Sequence, residues 1–105
     1  MATTKDGRTI TTTRNDEQSR YEARVDGELA GIVEFMRGGD VLVMTHTETY
    51  DAFSGQGVAS GLVRDALDDV RTHGFLVRPV CPYVAGWLEK HPGEYDDVVH
   101  HSATG

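Results

Sequence analysis

The sequence predicts an α+β domain: a four-stranded antiparallel meander, a β-α-β crossover and a C-terminal helix. Three observations lead there. Asp26-Gly27 sits between two strand-like runs, the apolar period lengthens from two to nearly four after Gly55, and a short apolar run, FLVRPV, follows the helical stretch. With 105 residues, one domain over 1–105 with one modest core is expected, its ordered part covering about 9–100.

The first eight residues are polar and read as a frayed end. Thr9 to Arg14, TITTTR, is β-prone and weakly apolar, as suits an edge strand, and NDEQ (Asn15 to Gln18) reads as a turn. In SRYEARV, Tyr21, Ala23 and Val25 alternate with Arg20, Glu22 and Arg24, which gives one buried and one wet face. Asp26-Gly27 then supplies a hairpin turn into ELAGIVEFM. RGGD (Arg37 to Asp40) turns the chain again, and Val41 to Thr49 forms a fourth strand whose continuous apolar start, Val41 to Met44, suits a central position.

From Gln56 to Arg71 the apolar residues Val58, Leu62, Val63, Ala66, Leu67 and Val70 share one helical face, with Asp65, Asp68 and Asp69 on the other side. Gly74 suits the left-handed position after a helix. FLVRPV reads as a fifth strand, parallel to the fourth because a helix joins them. PYVAGWLEKH is a shorter helix stopped by Pro92-Gly93, EYDDVVHH reads as a last turn, and SATG as a loose tail. Two parallel neighbours at the edge of a meander can splay apart, opening a slot lined by unpaired backbone.

Composition narrows the function. Ten Lys and Arg against seventeen Asp and Glu give a net charge of −7, without the clustered positive field that nucleic acid requires. No apolar stretch approaches the roughly 18 to 20 residues that cross a bilayer, and the N-terminus lacks the apolar run of a secretory signal. The one cysteine, Cys81, cannot form an internal disulfide, so a cytoplasmic setting is expected. No metal site is expected, since nothing near His100 and His101 completes a ligand set.

The most informative stretch is TETYDAFSGQGVASGLVRDAL. Gly55 and Gly57 flank Gln56 at a predicted helix start, where the amides of Gln56, Gly57, Val58 and Ala59 are expected to be free. A helix start carries partial positive charge, and such a loop suits a diphosphate as well as it suits a plain turn. No Lys follows the second glycine, as in a P-loop, and the third glycine of a dinucleotide fingerprint is missing.

THTETYDAFSGQGVASGLVRDAL, followed by VRPVCPYVAGWLEKHP, resembles the small GNAT-superfamily N-acetyltransferases, in particular a short subfamily with HTE, GxGVAS and CPY motifs. The likeness extends over roughly residues 9 to 100 and implies a minimal GNAT (acyl-CoA N-acyltransferase) fold. It further implies that acetyl-CoA is the cofactor and that Ser54, Gly55, Gln56, Gly57, Val58, Ala59 and Ser60 form the pyrophosphate loop of coenzyme A. By the same resemblance, the backbone of Thr47, Glu48 and Thr49 pairs with the pantetheine arm, and Cys81 lies near the thioester. Two departures stand out: Ser54 replaces the basic or amide residue that usually opens the loop, and HPGEY is one residue longer than the subfamily's HPEY, ahead of Tyr95.

Four residues are candidates for catalysis. Cys81 reads either as a small buried hydrophobe or as a thiolate stabilised at a helix start. As a nucleophile it would take the acetyl group; otherwise the amine attacks directly while a base removes its proton. His46 and Glu48, two apart in a strand, share a face and suit a proton relay, or else a solvated His beside an ion-paired Glu. Tyr83 suits protonation of a departing thiolate or packing on the sheet, while Trp87 and Leu88 read as core.

The expected function is therefore acetyl transfer from acetyl-CoA to an amine. Larger members of the superfamily wall the acceptor site with two helices between the first two strands. Here Asn15 to Gln18 occupy that interval, which implies an open site and a protein or peptide amine as acceptor. The alternative is a non-catalytic CoA or acyl-CoA sensor or adaptor.

Overall fold

The computed structural model describes residues 2–100. The SATG tail and His101 lie outside the described residues. Strands β1 (Ile10–Asn15), β2 (Arg20–Val25), β3 (Glu28–Gly38), β4 (Val41–Thr49) and β5 (Leu76–Pro79) form one sheet in chain order. The first four pair antiparallel, and β5 lies parallel to β4. Helix α1 (Val58–Thr72) links β4 to β5, and α2 (Pro82–Glu89) follows. The architecture is the expected α+β arrangement.

Local chemistry explains most boundaries. Asp26 and Gly27 adopt φ of 54° and 82°, the left-handed pair that closes a two-residue hairpin with the twist of its strands. β3 runs two residues beyond the expected Met36, so the next turn is tighter than RGGD implied. α1 begins at Val58 rather than Gln56, and Gly57 caps it in the left-handed region. At the other end the Phe75 amide donates to the Val70 carbonyl at 2.9 Å, and Gly74 makes that reversal.

All six predicted apolar positions of α1 are buried against the sheet, where they meet Ile10, Tyr21, Val33, Leu42 and Met44. Each fully buried Leu or Val contributes about 1.5–3 kcal/mol relative to an exposed one. The acidic flank of α1 is not simply wet. Asp69 accepts from the Tyr21 hydroxyl at 2.7 Å and from Arg14 at 2.8 Å, Asp65 from Thr12 at 2.9 Å, and Asp68 from Tyr95 at 2.7 Å. Burial, then Asp68, pushes the Tyr95 phenol up to about 12, so this clasp holds a neutral hydroxyl at ordinary pH.

Both ends depart from expectation. Residues 2–9 are tied down rather than frayed: Thr4 is buried, Thr3 bridges Thr9, and the Lys5 amide donates to the Gln56 carbonyl at 3.0 Å. The C-terminal segment makes the expected turn, the Val98 amide donating to the Tyr95 carbonyl at 3.0 Å, and then returns to the sheet. Val99 bridges Val77 in parallel, the Val77 amide donates to Val98 at 2.7 Å, and the His100 amide donates to Val77 at 2.8 Å. The Nδ1 of His100 is buried without a partner among the described residues. The extra residue Gly93 takes a φ of 83°, and Tyr95 is buried beside Trp87.

Candidate functional site

The slot between β4 and β5 forms because their pairing stops early. The ladder runs from Val41–Leu76 to Met44–Pro79. Proline has no N–H with which to continue it. The Cys81 amide caps the ladder by donating to the Met44 carbonyl at 2.8 Å, and α2 then starts. From Thr45 to Thr49, β4 therefore has β3 on one edge and, among the described residues, no strand on the other.

A bulge decides which side chains face the slot. Phe35 pairs with Met44 and Glu34 with His46, so Thr45 is an extra residue on β4. Without it His46 and Glu48 would share the inward face of Leu42 and Met44. With it Thr47 takes the inward face, opposite buried Val33, and His46 and Glu48 are exposed on the open face near Glu34. His46 and Glu48 do share one face, and it is the face opposite to the Thr47 side chain.

Cys81 occupies the N-cap position of α2, 4% exposed, with Sγ 3.3 Å from Thr47 Oγ1. Burial pushes the thiol up. Hydrogen bonds from the Thr47 hydroxyl and from the Val84, Tyr83 and Thr47 amides together outweigh it and hold the thiol below its ordinary value. The buried-hydrophobe and reactive-thiol readings thus describe one residue: buried, yet ringed by donors.

Gly55 and Gly57 both take φ of 78°, and a Cβ at either would meet nothing within 4 Å. The loop thus presents bare backbone to open space. Among the described residues, no acceptor is found for the amides of Gly57, Val58, Ala59 and Ser60, and the first carbonyl-paired amide is Gly61, 3.1 Å from the Gly57 oxygen. Gln56 is the exception to the expected set. Its amide donates to Phe53 at 3.3 Å, its carbonyl accepts from Lys5, and its Oε1 is buried without a partner. A single 3₁₀ turn, Asp51–Phe53, precedes the loop and plugs buried Phe53 beneath it. The anchored N-terminal segment brings exposed Lys5 beside a loop whose Ser54 carries no charge.

A groove of about 280 Å³ lies along this loop, lined by Thr49, Ser54, Gly55, Gly57, Ala59 and Tyr83 among others. Tyr83 does not pack on the sheet; it stands 42% exposed on the groove rim. Burial of its ring pushes the phenol up, against a smaller opposing effect of a hydrogen bond with Ser60. Trp87 is core, as expected, and its Nε1 donates to Ser60 Oγ at 2.9 Å, while Leu88 is only partly buried. Four unpaired amides beside open space can receive a doubly charged phosphate group. No helix among the described residues is long and apolar enough to cross a membrane.

A sequence model of the GCN5-related N-acetyl-transferase family matches residues 20–98. No curated protein sequence matches the chain. Among solved structures, a ribosomal-protein-alanine N-acetyltransferase from Brucella melitensis biovar Abortus 2308 is similar, at 19% identity and a TM-score of 0.49, over 79% of this chain and 68% of that one. With its family match spanning most of both the sheet and the glycine loop, the chain belongs to the GCN5-related N-acetyl-transferases.

Proposed function

We propose that the protein is an acetyl-CoA-dependent N-acetyltransferase, with residues 1–105 as one catalytic domain. The observation that carries this is the continuity of the site. Unpaired amides at Gly57 to Ser60 lie at one end, Cys81 lies at the other, and the unpaired edge of β4 joins them. Gly55, Gly57, Val58, Ala59 and Ser60 would hold the pyrophosphate, with Ser54 and Gln56 shaping the loop. The backbone of Thr47, Glu48 and Thr49 would hold the arm. When bound, the coenzyme supplies the acetyl group as a thioester.

The chain's own residues then do the positioning. The Thr47 hydroxyl, 3.3 Å from Sγ, and three amides hold the Cys81 thiol below its ordinary value, which favours its use as a nucleophile that accepts the acetyl group. Tyr83, protonated at ordinary pH, offers its hydroxyl on the rim. Glu34, His46 and Glu48 stand exposed on the open face, with Arg20 opposite Glu34, and His46 or Glu48 would take the proton of an incoming amine. Because only the Asp16–Ser19 turn stands between β1 and β2, that face is accessible to an amine on a peptide or protein.

The test is release of free coenzyme thiol from acetyl-CoA with and without amine peptides. Release that depends on the peptide, with the acetyl group recovered on its amine, is expected. Tight coenzyme binding without release for any amine would instead identify a sensor or adaptor.

A further inference from the structure

The sheet face turned away from α1 carries a buried carboxylate that the acetyl site does not use. Tyr21, Ala23 and Val25 belong to the core, so Arg20, Glu22 and Arg24 of β2 share the other face. The Glu22 side chain is only 7% exposed there, covered by its own partners. Arg20 Nε donates to Oε2 at 2.8 Å, Arg24 Nη2 donates to Oε1 at 3.1 Å, and Asn15 Nδ2 donates to Oε2 at 3.3 Å. Burial pushes the Glu22 carboxyl up. Hydrogen bonds from Arg20 and Asn15, with the charges of Arg20 and Arg24, outweigh burial and hold the group below its ordinary value.

One carboxylate therefore fixes two guanidiniums. Each arginine gives a single nitrogen to Glu22, and among the described residues neither has a second hydrogen-bond acceptor or pairs with any other carboxylate. Their side chains are 23% and 41% exposed, so the remaining N–H groups of both are open to a ligand. The register sets this pair in line with the proton-accepting residues. Arg20, Glu34 and His46 form one row across the sheet, and Glu22, Ile32 and Glu48 form the next. Ile32 is buried and makes an apolar floor between the two ends of its row. The face is thus polarised: a surplus cation lies on β2, and the carboxylates of Glu34 and Glu48 lie on β3 and β4.

We propose that Arg20 and Arg24 recognise a carboxylate of the acceptor, an acidic side chain about three residues beyond the amine that is acetylated. This rests on the acetyltransferase reading above and names its acceptor class, a peptide segment carrying an amine and an acid at a fixed separation. β2 lies two strands from β4, roughly 10 Å at the usual strand spacing. An extended peptide advances roughly 3.3 Å per residue. An amine beside His46 and Glu48 therefore places the side chain three positions on over the arginine pair. Guanidinium binds carboxylate through two parallel hydrogen bonds, and a guanidinium already held by Glu22 loses little freedom in doing so. An acid nearer to the amine would instead meet Glu34 or Glu48 and be repelled.

The experiment is steady-state acetylation, by the whole chain, of peptides that differ only in carrying Glu, Ala or Lys three residues after the acceptor amine. Wild type is compared with Arg24→Gln, whose melting temperature is measured alongside. In wild type the KM for the Glu peptide is expected to be about tenfold lower than for the Ala peptide and lower still than for the Lys peptide, with kcat alike for all three. Arg24→Gln, at the more exposed of the two arginines, is expected to keep its melting temperature and to lose most of that difference. Equal KM values for the Glu and Ala peptides in wild type, or a Glu preference undiminished in Arg24→Gln, would overturn the assignment while leaving acetyl transfer intact. Acetylation of none of the peptides would overturn both.

Discussion

Cys81→Ala is expected to bind coenzyme A like wild type and to lose acetyl transfer by about a hundredfold or more. The side chain is small and the backbone contacts of residue 81 need no sulfur: its amide donates to Met44 and its carbonyl accepts from Ala85 at 3.0 Å. The fold should therefore survive. What disappears is an anion site built from the Thr47 hydroxyl and three amides. In wild type the thiolate population, read by its ultraviolet absorbance, should rise with pH through a midpoint below that of an ordinary thiol. Thr47→Val should move that midpoint upward, because it removes the largest of the lowering influences. Full activity in Cys81→Ala would mean that the amine attacks directly and that Cys81 only lines the slot.

Leu62→Ala is expected to cost about 3 kcal/mol, enough to lower the melting temperature by about 15 °C in a domain of this size. Leu62 is fully buried at the centre of the α1 face, close over Gly31 of β3, where a built Cβ would lie 3.6 Å from Leu62 Cδ2 and 2.9 Å from the Glu48 carbonyl oxygen. The helix sits too near the strand to settle further into the space left behind. Leu88→Ala, at a partly buried position on α2, should cost clearly less. Urea titrations of the two variants provide the comparison, and a loss below about 1 kcal/mol for Leu62→Ala would contradict this packing.

The sequence was most readable where one local rule operates unopposed. Val58 to Val70 follow a single helical period, and Asp26-Gly27 has one good conformation, so both were legible. The slot was legible too, since it follows from the order of strands and the crossover. The face of His46 and Glu48 depended on one extra residue, Thr45, which carries no turn signal of its own. Gln56 was misjudged as a free donor because the 3₁₀ turn at Asp51–Phe53 has no apolar period to betray it. The docking of the two ends onto the sheet was not legible for a related reason. Thr4 is buried through hydrogen bonds rather than hydrophobicity, its hydroxyl accepting from the Arg8 amide at 2.9 Å, and Val98-Val99 is too short a run to read as a strand.

The claim on which the rest depends is that the unpaired amides after Gly57 grip the coenzyme's phosphates. Titration calorimetry of wild type and Gly57→Val with coenzyme A tests it most directly. One-to-one binding with measurable heat is expected for wild type, weakened about tenfold or more when a branched side chain intrudes on the open space at Gly57. Absence of heat with both free and acetylated coenzyme, or equal affinity in the two proteins, would contradict it.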